Sequence, residues 1–230
     1  MLFVSFVVFL SRWDDRSEQL RELERRILVC SRINAERRRP VTLDVRRQNT
    51  IMLANDVESK FPPNVSLPLG VRTLCDFLDQ NGYPISGCFE ISKIGDDDMA
   101  AWFPNDTEMQ HRFAVFGRGS TGSVYALWLR DGNDADTAPV IVLGSEGELR
   151  VLATNSLEFC RLLGCGYDEL EWDDLTKPSP TRDATQPLRN WLTERLNLNC
   201  PPVGFAIVST ATERYPDFGD FLRRWQDANL

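Results

Sequence analysis

Residues 113–129, FAVFGRGSTGSVYALWL, constrain the fold more than any other stretch of this 230-residue chain. Gly117, Gly119 and Gly122 spell G-x-G-x-x-G. In a dinucleotide-binding fold that fingerprint ends where a helix opens, because the helix N-terminus holds the pyrophosphate. Here Val124, Tyr125, Leu127, Trp128 and Leu129 follow, a β-branched and aromatic run that prefers a pleated strand. Strand, glycine-rich turn, strand is a hairpin, and the glycines are expected to supply positive φ at its turn. The phosphate cradle is set aside on that ground.

The flanking pattern extends the hairpin into a meander. Val71, Leu74, Cys75 and Leu78 fall at i, i+3, i+4 and i+7, an amphipathic helix that stops at Asn81-Gly82. Phe89 to Ile91 reads as a short strand, and Met99 to Phe103 as a helical turn before Pro104. Residues 139–143 and 148–152 read as two more strands, separated by the turn Gly144 to Gly147. Asn155 with Glu158 three residues on is an N-cap, opening a helix over 156–163 that Gly164 closes. Leu188, Trp191, Leu192 and Leu196 share a helical face, as do Phe218, Phe221, Leu222 and Trp225. Residues 201–214 suit either strand or helix. Helix, antiparallel meander of about four to six strands, then helices is an α+β arrangement.

Charge divides the chain. Residues 1–50 hold 11 Arg against 7 acidic residues, and the remaining 180 hold 15 basic against 27 acidic, so the body is acidic by 12. Such a body repels nucleic acid and anionic membrane and favours a basic partner, although acidic surfaces also serve solubility alone. The six cysteines show no C-x-x-C, and Cys75 and Cys160 lie in apolar helical patterns, so free buried thiols are expected. His111 is the only histidine, which removes the usual zinc sets and disfavours imidazole-based nucleophilic catalysis. No cofactor, metal or catalytic set is predicted, and His111 reads as a surface or strand-edge residue. Adjacent acids such as Asp173 and Asp174 are read as solvated rather than as an acid–base pair.

Residues 1–51 form an Arg-rich N-terminal segment. Its opening apolar run, MLFVSFVVFL, is shorter than the about 20 residues needed to span a bilayer, and it lacks the basic flank of a signal peptide. Three readings stand: a gene start extended upstream of Met52, a mobile tail, or a weak amphipathic anchor. The expected organisation is then a folded α+β domain over 52–175 and a helical C-terminal extension, 176–230, packing on it.

Three stretches together resemble the SUKH superfamily of bacterial immunity proteins and yeast cell-wall-synthesis regulators. Leu67-Pro68 with the 71–78 helix and Asn81-Gly82-Tyr83-Pro84 is similar to that family's opening helix. Residues 116–129 resemble its central glycine hairpin, and 139–163 its closing strand-turn-strand-helix. The family often carries an acidic residue after the Ala126-Leu127 pair, where this chain has Trp128. The resemblance implies a non-enzymatic cytoplasmic immunity protein that binds and neutralises a cognate toxin; the alternative it implies is a regulatory or scaffolding protein. The acidic body suits a basic, nuclease-type toxin. Two acid-plus-aromatic clusters are the candidate partner surfaces: Asp96, Asp97 and Asp98 beside Trp102 and Phe103, and Glu169, Glu171, Asp173 and Asp174 around Trp172. Oligomeric state is left open.

Overall fold

A computed structural model describes residues 53–91, 98–130 and 134–229; the readings made for residues 1–51, for Asp96 and for Asp97 lie outside them. Helix α1 (residues 53–58) precedes α2 (Leu69–Asn81), which buries Val71, Leu74, Cys75 and Leu78 on one face. The helix ends at Gly82, whose φ of 73° is the left-handed region that glycine enters without a Cβ clash. Next come β1 (Glu90–Ile91), the short helices α3 (Asp98–Trp102) and α4 (Thr107–Gln110), and β2 (Phe113–Arg118). Strands β3 (Val124–Trp128), β4 (Val140–Leu143) and β5 (Leu149–Ala153) follow, then α5 (Ser156–Leu163). A 3-10 turn (Arg182–Thr185) leads to α6 (Gln186–Leu196), α7 (Phe205–Arg214) and α8 (Phe218–Asn229). All five strands are antiparallel in the order β1-β2-β3-β4-β5, so the fold is α+β around a meander.

The sheet has core on both sides. In β3, Tyr125 and Leu127 point into one apolar cluster, while Val124, Ala126 and Trp128 point into the other. Val140 and Val142 of β4 join the first, and Ile141 and Leu143 the second. Period-2 alternation here separates two cores, not core from solvent. The first is closed by α2, α5 and α6, through Leu74, Phe159 and Leu188 among others. The second is closed by Met99, Phe103 and Met109 of the β1–β2 connection and by Phe218 and Leu222 of α8. Helix α7 lies along β5 and gives Ile207 to the first core and Ala211 to the second. This explains why 201–214 suited either structure: its apolar residues serve two cores, so no single face carries them.

The glycine hairpin forms, but its glycines divide their work differently from the expectation. Only Gly122 has a positive φ, at 91°. Gly117 sits within β2 beside a bulge between Val115 and Gly117, and a Cβ there would lie 2.3 Å from Phe89 Cε2. It is required by the close approach of Phe89, not by turn geometry. Gly119 N–H donates to the Ser123 carbonyl at 2.9 Å and closes the turn.

Helix α5 begins as its sequence predicts: Asn155 Oδ1 accepts from the Glu158 N–H at 2.9 Å. The Glu158 carboxylate turns instead to Arg161, 2.8 Å away. Gly70 brings α2 against this helix start. A Cβ on Gly70 would lie 2.5 Å from both the carbonyl carbon and oxygen of Ser156. Alanine normally gains about 1 kcal/mol over glycine in a helix. Here the collision is with backbone, which cannot rotate away, so overpacking of roughly 1–3 kcal/mol should win. Gly70→Ala is therefore expected to lower the urea midpoint; a raised midpoint would mean the two helices are not in this contact.

Cysteine usage needs one correction. Cys75, Cys160, Cys165 and Cys200 are free, and the first three are buried, but Cys88 is disulfide-bonded. Burial pushes the Cys75 thiol up to about 12, helped by Asp79 and Asp76, and Cys165 likewise to about 12, which makes both poor nucleophiles.

Candidate functional site

The two predicted clusters fare differently. In the first, Asp98 begins α3, and Trp102 is half-buried against the second core. Phe103 is 2% exposed, stacked on Phe113 at 5.2 Å and edge-on to Trp225 at 4.9 Å. That aromatic is a core residue and offers no surface. His111 is exposed and caps the C-terminus of α4.

The second cluster is built into a loop, 168–174, that lies against the β2–β3 hairpin. Its turn is local: the N–H groups of Trp172 and Asp173 both donate to the Glu169 carbonyl. Asp173 Oδ2 accepts from the Asp168 N–H at 2.9 Å and the Glu169 N–H at 3.3 Å. Asp174 accepts from the Thr176 N–H and hydroxyl and pairs with Lys177 at 2.7 Å. Lys177 first, then Thr176, hold the Asp174 carboxyl down at about 2. These two aspartates brace the loop, and Trp172 stands out from it, 49% exposed.

Glu169 and Glu171 turn the other way, toward the hairpin. Glu171 is 5% exposed; its Oε2 accepts from the Tyr125 hydroxyl at 3.1 Å, and its Oε1 is buried without a donor. Glu169 Oε1 accepts from the Ser120 hydroxyl, and its Oε2 is likewise buried without a donor. Arg150 of β5 sends its Nη1 to the carbonyls of Leu170 and Glu171, at 3.2 and 2.8 Å, rather than to either carboxylate. Burial, more than the nearby acids, lifts the Glu169 carboxyl to about 7; Ser120 opposes the rise. Burial, then Glu171 and Glu169, pushes the Tyr125 phenol well above its ordinary range. The loop was legible as an acidic patch, but this inward pair was not. The available signal was Tyr125 itself: a tyrosine inside a five-residue apolar strand needs an acceptor for its hydroxyl.

A pH dependence follows. A carboxyl raised from 4.5 to about 7 binds its proton more tightly in the folded chain. The stability this contributes is present below pH 4.5 and is lost as the pH rises to about 7. The lowered aspartates, Asp106, Asp174 and Asp220, act with opposite sign but below their ordinary 3.8, outside that window. The loss should be on the order of 1 kcal/mol, because water partly screens a half-buried group. Asp168, raised by burial and by Asp173, adds to the loss with the same sign. Urea unfolding at pH 5 and pH 8 should show the loss in the wild type and a smaller one in Glu169→Gln.

A separate cleft of about 390 Å³ lies between Trp128, Arg130, Thr137, Pro139, Arg214 and Tyr215. Its Arg130 is spent on a two-point pair with Asp217, at 3.0 and 3.2 Å, while stacked 4.9 Å from the Trp128 ring. Among the described residues, no group of three His, Cys, Asp or Glu could hold a metal, and no helix is long and apolar enough to cross a membrane. No family model, curated protein or solved structure matches the chain.

Proposed function

We propose that the chain is a non-enzymatic, cytoplasmic immunity protein that binds and neutralises a basic, nuclease-type toxin through the surface around Trp172. The observation that carries this reading is an aromatic ring standing 49% exposed on a braced loop, with Asp168, Glu169, Asp173 and Asp174 about it. A large apolar side chain ringed by one sign of charge suits a partner hot spot: the ring supplies burial, and the charges speed encounter and reject acidic partners. The resemblance of residues 67–84, 116–129 and 139–163 to the SUKH superfamily supports the same reading. An interface of ordinary size, about 1,600 Å² in total, would extend beyond the loop onto the hairpin turn.

The test is capture from native cells with the tagged full chain and with Trp172→Ala, each at low and high salt. A basic protein should be recovered with the wild type, lost with Trp172→Ala, and weakened several-fold at high salt. It should arrest growth when expressed alone and be silenced by co-expression of the chain. Capture unchanged by Trp172→Ala removes this surface; capture of signalling or wall-synthesis proteins turns the reading toward the scaffold alternative.

A further inference from the structure

Two carboxylate oxygens without donors lie beneath the hairpin turn. Glu169 Oε2 and Glu171 Oε1 are both buried and both lack a donor, a costly state for carboxylate oxygens. They meet at one place. A side chain begun at Gly119 would find Glu169 Oε2 at 3.4 Å, Ser123 Oγ at 3.4 Å and Glu171 Oε1 at 3.5 Å. Three oxygens thus ring the bare face of a glycine, and among the described residues neither carboxylate has a cationic partner. Ser120 and Gly122 on the turn above are exposed, so the hairpin end is the short way in, and an entering group must part the turn to reach the buried oxygens.

We propose that this ring of oxygens is a receptor for one primary ammonium, a lysine side chain that the protein partner inserts beside Gly119. The inference rests on the partner-binding reading above and specifies its chemistry. The choice of lysine over arginine follows from how the carboxylates are already used. A guanidinium prefers both oxygens of one carboxylate in its plane. Here Ser120 holds one oxygen of Glu169, and Tyr125 holds one oxygen of Glu171. What remains is one oxygen from each, plus a lone pair of the Ser123 hydroxyl, which shares a single hydrogen bond with Thr121 at 2.9 Å; the set suits an ammonium with three donors spread about an axis.

Proton linkage supplies a second signature. The groups around Glu169 are Asp168, Glu171 and Asp173 on its own segment and Tyr125 on β3, all of them acids, with the Arg150 guanidinium of β5 occupied by backbone carbonyls. With the Glu169 carboxyl lifted to about 7, that group holds its proton below this pH, and an entering ammonium must displace it. Binding is therefore expected to tighten several-fold between pH 6 and pH 8.

The experiment is a titration of the ¹⁵N-labelled full chain with acetyl-Gly-Lys-Gly-amide, and separately with the arginine analogue, at low salt. The amide signals of Gly119 and Ser123 should move saturably with the lysine peptide, more at pH 8 than at pH 6. Glu171→Gln keeps the shape of the site and should abolish the shift. Gly119→Ala is a second route: its methyl would make only ordinary contacts of 3.4–3.5 Å, yet it would occupy the space between the oxygens. Both variants should melt within a few degrees of the wild type. No shift with lysine, an equal shift with arginine, or a shift surviving in Glu171→Gln overturns the proposal. Lysine shifts without toxin capture would keep the receptor and remove the immunity reading; capture dependent on Trp172 without lysine shifts would do the reverse.

Discussion

A chain ended after residue 176 should lose its cooperative unfolding transition. Residues 186–229 give Leu188, Leu192 and Ile207 to one face of the sheet and Ala211, Phe218 and Leu222 to the other. They are also tied by polar links: Trp225 Nε1 donates to Asp106 Oδ2 at 2.6 Å, and Asp217 pairs with Arg130 at 3.0 Å. Removing them uncovers Trp128, which packs on Phe218 at 4.9 Å and on Phe221 at 5.2 Å, and opens β5 along its free edge. Each large apolar side chain that loses its cover forfeits about 1.5–3 kcal/mol. Several such losses equal the roughly 5–15 kcal/mol by which a whole domain is stable. Circular dichroism of the 1–176 fragment, which keeps the N-terminal segment, should show a broad melt or aggregation. A sharp transition close to that of the full chain would mean the helices are an ornament on an independent domain.

Phe159→Ala should cost about 3–5 kcal/mol, the range for deleting a buried aromatic ring from a core that cannot collapse around the gap. The ring is fully buried, with centroids 5.4 Å from Phe89, 5.6 Å from Phe116 and 5.8 Å from Tyr125. It joins α5 to β2, to β3 and to Phe89 just before β1, so no single neighbour can move into the space. Trp172→Ala provides the contrast. That ring is half exposed, and its loss should change stability by less than about 0.5 kcal/mol. Urea midpoints at constant slope would measure both. Equal costs for the two aromatics would mean Trp172 is part of the core and unavailable to a partner.

What the sequence revealed follows the range over which its signals act. Helix α2, the Asn155 cap and strands β4 and β5 rest on neighbours within one turn or one strand, and these were legible. Gly117 does not serve as the turn residue its spacing implies, because its cause, the Phe89 ring, comes from a residue just before β1. Helix α7 was ambiguous because Ile207 and Ala211 answer to different cores. The four-residue helix α4 was missed because it depends on a single cap, Asp106 accepting from the Met109 N–H at 2.9 Å. At the candidate site, the exposed Trp172 and its acids could be read from composition. The burial of Glu171 could not, since the Tyr125 hydroxyl that receives it is 46 residues away.

The two-sided core has a consequence for how such a chain can change over generations. Every residue of β3 and β4 is buried, so neither strand has a position at which a polar replacement is harmless. Within these two strands heritable variation that leaves the fold intact is thereby pushed out to their turns, and the 119–123 turn, which opens β3, lies beside the 168–174 loop. A lineage could exchange one recognition chemistry for another there, with the scaffold acting as a fixed mount that mutation leaves alone.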